Sequence, residues 1–137
     1  MPESGDIPIN ITLFGICELK GNIIRHFAPL SADAILDKLP LVLRGRYSFG
    51  GKKYWTLPGV EIFKGTNPKS KKEVEKGDII YNPKTDELIL VIENMLMPNK
   101  VNKIGKIEST LELLLKATNG LNTRISKSPG SKREQKL

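Results

Sequence analysis

The sequence predicts one mainly-β domain whose strands form a barrel or a strongly curled sheet, with two helices covering its open ends. Three observations carry that prediction. Isoleucines alternate near the N-terminus, residues 88–92 are apolar at every position, and two amphipathic segments carry helix start and stop signals. At 137 residues the chain has the length of one domain, and its 12 glycines and 9 prolines put many turns between short elements.

Ile7, Ile9, Ile11 and Leu13 alternate with Pro8, Asn10 and Thr12, the period of a strand with one buried face, and the strand ends near Gly15. Residues 22–27 read as its hairpin partner, reached through a turn around Leu19, Lys20 and Gly21. Ser31 is placed as an N-cap and Asp33 in the first turn of a helix that sets Ala32, Ile35, Leu36 and Leu39 on one face before Pro40 stops it. Residues 41–49 and 52–57 flank Gly50-Gly51, a pair suited to the positive φ of a two-residue hairpin turn.

Residues 64–76 have almost no apolar content and read as a solvated loop. Gly77-Asp78 opens a second hairpin, with strands at 79–81 and 88–92 joined through Asn82, Pro83, Lys84, Thr85 and Asp86. The unbroken apolar run at 88–92 predicts a central strand buried on both faces. After a strand at 102–107, Ser109 and Glu112 match the capping box and start a second helix with Leu111, Leu114, Leu115 and Thr118 on one face. Asn119-Gly120 stops it, and 121–125 forms a last strand. Residues 1–125 are thus one domain, and 126–137 are a disordered basic tail with a single leucine.

The net charge is +7, of which the tail carries +3, so the body is mildly basic. Such a charge allows only weak, salt-sensitive attraction to nucleic acid unless several cations share one face. Cys17 has no second cysteine to pair with, no N-terminal segment has the pattern of a signal peptide, and the expected location is cytoplasmic. The run at 88–92 is far short of the roughly 18 residues that span a bilayer, so no membrane association is expected. One histidine, His26, and one cysteine exclude a histidine-rich or thiolate-rich metal site on ligand count, and no cofactor is expected. Gly50-Gly51-Lys52-Lys53 lacks both the P-loop pattern and a following helix, and Asp86, Glu87 and Glu93 read as surface carboxylates.

Asn67-Pro68, the strand opening Gly77-Asp78-Ile79-Ile80-Tyr81-Asn82-Pro83, the apolar run 88–92 and Val101-Asn102-Lys103-Ile104-Gly105-Lys106-Ile107 occur in an order that resembles the small cyclophilin-like proteins of archaea and bacteria. The resemblance covers roughly residues 6–125 and implies a closed eight-stranded β-barrel capped by two α-helices. Gly105-Lys106-Ile107-Glu108 before the leucine-rich segment is similar to the closing strand and helix of true cyclophilins. In those enzymes an arginine follows Phe-His on a barrel strand, and that motif is missing here. Arg44 and Arg46 lie in a roughly comparable region, and 88–92 carries no aromatic where true cyclophilins have Phe-Phe-Ile.

The resemblance therefore implies a surface groove that binds an extended peptide or a small ligand, with prolyl isomerase activity weak or lost. Isomerisation needs a cation held at the prolyl nitrogen beside an apolar pocket, for which Arg44 and Arg46 are the candidate catalytic residues. The competing reading of both is a solvated strand face. Tyr47, Phe49, Tyr54, Trp55 and Phe63 are candidates for the pocket wall, Trp55 foremost because its indole donor needs a partner. Met95 and Met97, read as part of a turn after the central strand, either add an adaptable ligand surface or plug a barrel end. A second reading is nucleic-acid binding through Arg44, Arg46, Lys52 and Lys53 beside Tyr54 and Trp55, and a third is a homo-oligomer in which another copy covers apolar edges.

Overall fold

A computed structural model of the chain describes residues 6–47 and 51–128. In chain order its strands are β1 (Asp6–Leu13), β2 (Cys17–Ile24), β3 (Leu41–Arg44), β4 (Arg46–Tyr47), β5 (Tyr54–Pro58), β6 (Lys71–Val74), β7 (Asp78–Asn82), β8 (Glu87–Val91), β9 (Met95–Ile107) and β10 (Asn122–Lys127). One α-helix, α1 (Pro29–Lys38), separates β2 from β3, and 3-10 turns lie at Arg25–Phe27 and Glu112–Lys116. No helix among the described residues is long and apolar enough to cross a membrane.

The mainly-β expectation holds, but the closed eight-stranded barrel does not. The strands form a ten-stranded antiparallel sheet along the path β3-β10-β1-β2-β9-β7-β8-β5-β4, with β6 paired to β9 beside it. Its two end strands, β3 and β4, are consecutive in the chain and separated by Gly45 alone. Sequence explains why no ladder among the described residues closes the seam. Arg46 faces Thr56 and Tyr47 faces Trp55. That register carried onward sets Pro58 against Arg44, where a proline has no N–H to offer. Gly59, at φ 82, then turns the chain away. A cavity of about 290 Å³ lined by Lys38, Leu41, Leu43, Gly59 and Val60 lies along the open seam.

The first hairpin turns at residues 14–16, not at 19–21, since Leu13 pairs with Cys17. Leu19, Gly21 and Ile23 are buried and alternate with exposed Glu18 and Lys20, so β2 begins earlier than expected. Gly21, which suggested a turn, is instead a point of close approach: a Cβ there would lie 2.8 Å from the Lys106 carbonyl oxygen of β9.

Helix α1 begins two residues before Ser31, with Pro29 in its first turn, where a missing N–H costs nothing. Ser31 is therefore not the N-cap. It is buried, and its Oγ accepts a 2.9 Å hydrogen bond from Asn102 Nδ2. The expected second helix is only the 3-10 turn Glu112–Lys116. Ser109 cannot cap it, because Ser109 Oγ accepts a 2.8 Å hydrogen bond from the Lys20 backbone N–H on β2. With three residues per turn, Leu111, Leu114 and Ala117 share the buried face, while Leu115 rotates out to 41% exposure.

The core has two parts. Leu88 and Leu90 of β8 point into the curled interior with Ile9, Ile11, Leu19, Trp55 and Ile104. Ile89 and Val91 point outward into a second cluster with Val74, Ile80, Met97 and Val101. The burial of 88–92 on both faces is thus as the sequence predicts. What covers the outer face is not: β6 arises from the charged run 64–76 and buries Val74, and β9 extends back through Met95 and Met97, which the sequence places in a turn. Of the segment 126–137 expected as a tail, Ser126 and Lys127 pair with Asn10 and Ile9, Ser128 N donates to Pro8 O at 3.0 Å, and residues 129–137 lie outside the described residues.

Candidate functional site

A cleft of about 440 Å³ opens at one end of the curled sheet, between the ends of β7, β8 and β9 and the segment 109–115. That volume falls within the roughly 300–1,000 Å³ of ordinary small-molecule sites. Its floor is apolar. Ile92, Ile107 and Leu111 line it at 6%, 6% and 8% exposure, the most accessible members of a core that elsewhere is at 0–2%. Lys76, Glu93, Ser109, Thr110 and Glu112 supply polar groups, and Leu115 completes the rim.

Backbone bonds hold each wall. Gly77 N donates to Val91 O at 2.9 Å, Ile107 N donates to Gly77 O at 2.7 Å, and Lys76 N donates to Asn94 Oδ1 at 2.7 Å. The 109–115 wall is tied to β2 by Glu108 N donating to Lys20 O at 2.8 Å and by the Ser109 hydroxyl. Tyr47 braces it from beneath, its hydroxyl donating between the Leu114 and Ala117 carbonyls, each 2.7 Å away. Burial raises the Tyr47 phenol pKa against the opposing bond to Ala117. Lys52 lies over the Tyr47 ring at 4.9 Å and donates to Leu115 O at 3.1 Å.

The residues singled out from sequence are not brought together. Arg44 is exposed on β3, and Arg46 is exposed with an ion pair to Glu87 at 3.2 Å. Neither lines the cleft. Trp55 is fully buried, and its indole donates to Thr123 Oγ1 at 3.1 Å, so its polar partner is in the core. It packs edge-on against Tyr47, with ring centroids 4.8 Å apart. Tyr54, one residue earlier on the strand, takes the opposite face and joins the outer cluster, as strand alternation requires. Phe63 is 76% exposed, Met97 is buried in the outer cluster, and Met95 packs against that cluster. Phe49 lies outside the described residues. The surface that was to bind nucleic acid loses its indole to the core, and its Lys52 is engaged at the cleft wall.

Of the carboxylates read as surface groups, Glu93 is exposed and lines the cleft, whereas Asp86 is partly buried. Asp86 accepts the backbone N–H groups of Glu61 at 2.7 Å, Ile62 at 3.2 Å and Phe63 at 2.8 Å, and the Tyr81 hydroxyl at 2.6 Å. Burial pushes its pKa up, but the Tyr81 and backbone donors outweigh burial and hold the carboxyl below its usual value. Burial and the same bond push Tyr81 up to about 12. Glu61 and Phe63 have φ of 58° and 50°, left-handed values that turn three successive amides toward one carboxylate. Among the described residues no group of three or more His, Cys, Asp or Glu could hold a metal ion.

The cleft residues themselves are hard to find in sequence. They come from strand ends at 77, 92 and 107 and from 109–115, which become neighbours only when the sheet curls. The local signal was the polar run Glu108-Ser109-Thr110 between a buried strand and a leucine-rich turn, and it reads equally well as a helix start.

A curled antiparallel sheet around an apolar interior, one α-helix and a cleft at the sheet's end together define a mainly-β, barrel-like class. Within that class, the chain belongs to the cyclophilin-like family, whose sequence model matches residues 29–126. Among solved structures it is similar to a hypothetical protein of Archaeoglobus fulgidus solved in solution, at 21% identity and TM-score 0.73, covering 93% of this chain and 100% of that one. It is also similar to McbB, solved in complex with tryptophan, at 8% identity and TM-score 0.72, covering 88% of this chain and 45% of that one. The comparison with curated proteins found no match.

Proposed function

We propose that the chain binds a small amphipathic zwitterion, an amino acid or the end of a peptide, in the cleft, and that it does not isomerise prolyl bonds. The observation that carries this reading is the cleft's composition: an apolar floor of Ile92, Ile107 and Leu111, with one lysine, Lys76, and two glutamates, Glu93 and Glu112, among the other lining residues. A ligand carboxylate pairs with Lys76, its ammonium with Glu93 or Glu112, and its side chain covers the floor. The tryptophan in the McbB complex is a ligand of this class, on a similar fold. The second half rests on the arginines. No arginine lines the cleft, and Arg46 is committed to Glu87, so the cleft has no guanidinium to hold at a prolyl nitrogen.

Titration of the ¹⁵N-labelled protein with tryptophan is expected to give saturable shifts at Ile92, Glu93, Thr110 and Leu111. Glu93→Gln should weaken binding about tenfold, and N-acetyltryptophanamide, which lacks both charges, should bind worse still. Equal binding of the blocked analogue would overturn the zwitterion. Robust turnover in a protease-coupled peptide assay would overturn the second half.

A further inference from the structure

We infer that a second site, sharing no residue with the cleft, takes a small phosphate-bearing anion. It is a pocket of about 210 Å³ lined by Phe27, Asn67, Lys69, Ser70, Lys71, Asn102 and Lys103. Three lysines from three parts of the chain line it: Lys69 from the turn before β6, Lys71 from β6, and Lys103 from β9. No carboxylate lines it. Neither Lys69 nor Lys71 has an ion-pair partner among the described residues. Like charges converging on one cavity repel, and an anion between them converts that cost into attraction.

The pocket is held open in advance. Asn102, 1% exposed, joins three elements at its floor: Oδ1 accepts from Asn67 N at 2.9 Å, and Nδ2 donates to Ser31 Oγ and to Gly65 O, each at 2.9 Å. Lys103 is aimed by two neighbours. Its Nζ lies 3.2 Å from Asp78 Oδ1 and 5.0 Å from the Phe27 ring centroid. Asp78 Oδ1 is buried and makes no hydrogen bond of good geometry, so its contacts with Lys103 and with Lys106, at 3.7 Å, are electrostatic. Because Asp78 offsets Lys103, the surplus positive charge facing the pocket comes from Lys69 and Lys71.

Size selects the ligand. A space of this volume lies below the range of sites that bury a drug-sized molecule, and it suits a phosphate group with a small substituent. Lysines act on such a group as point charges, with Asn67 and Ser70 adding neutral partners.

The test is a titration of the ¹⁵N-labelled full chain with inorganic phosphate and with phosphoserine, at constant ionic strength set with sodium chloride. Both are expected to give saturable shifts confined to Asn67, Ser70, Lys71, Asn102 and Lys103. Lys71→Gln should weaken both about tenfold. Lys71 is exposed on an outlying strand, so this variant keeps the fold, whereas Lys103→Gln, the second variant, also leaves Asp78 with Lys106 as its remaining lysine partner and should weaken both ligands as well. Lys84→Gln, in the exposed turn between β7 and β8, should bind as the wild type does. Shifts that stay linear, or a Lys84→Gln response equal to that of Lys71→Gln, would overturn the site.

Discussion

The two faces of the β7–β8 hairpin share one backbone and one kind of sequence, yet they are buried by different means. Ile79, Tyr81, Leu88 and Leu90 face an interior built by strands from both halves of the chain. Ile80, Ile89 and Val91 face a thin layer in which β6 contributes Val74 and β9 contributes Met97 and Val101. The inner face can relax little, because most of its neighbours lie on strands paired along both edges. The outer face is capped by a strand whose other residues, Lys71, Lys72 and Glu73, are exposed and charged. Equal hydrophobicity in the sequence therefore does not mean equal stability in the fold.

The largest expected effect tests how rigid the inner face is. A Cβ on Gly45 would lie 2.1 Å from Trp55 ring atoms, and Trp55 cannot retreat without losing its bond to Thr123. Gly45→Ala should cost about 5 kcal/mol, above the usual overpacking penalty, while Gly51→Ala, in open space, should cost almost nothing. Urea unfolding of both variants measures this, and a cost below about 1 kcal/mol at Gly45 would mean that the inner face yields easily.

Neighbouring residues on β8 compare the faces directly. Leu90→Ala should cost about 4 kcal/mol and Ile89→Ala about 2 kcal/mol, because the outer layer can settle into the space left by the smaller side chain. Equal losses would show that β6 is packed as firmly as the interior.

The smallest effect lies at the tip of the same hairpin, where Asp86 gathers the 61–63 amides and the Tyr81 hydroxyl. Its carboxyl titrates below an unfolded aspartate, so it adds stability above about pH 4 that is lost as pH falls through its folded value. Tyr81 has the opposite sign. Its phenol holds its proton up to about 12, so its contribution is complete below about pH 10 and is lost as pH rises through the folded value. Asp86→Asn should cost about 1 kcal/mol at neutral pH and flatten the acid limb of the stability profile. An unchanged acid limb would remove Asp86 from this role.

What the sequence determined by itself was whatever depends on neighbours in the chain. The apolar face of β1 (Ile9, Ile11 and Leu13), the doubly buried run in β8 and the stop of α1 before Pro40 all follow from side chains that report their own surroundings. Tertiary structure decided the rest, because in each case a distant partner outbid a local signal. Ser109 caps no helix, since the Lys20 amide claims its hydroxyl across 89 residues. Gly21 makes no turn, since β9 needs its missing side chain. Trp55 found Thr123 instead of a ligand. The cleft and the lysine pocket were the least legible, because each is lined by residues far apart in the chain. Local periodicity says which face of a strand is buried, but which strand ends meet is set by how the sheet curls, and that curl was left open where Pro58 had no N–H to give.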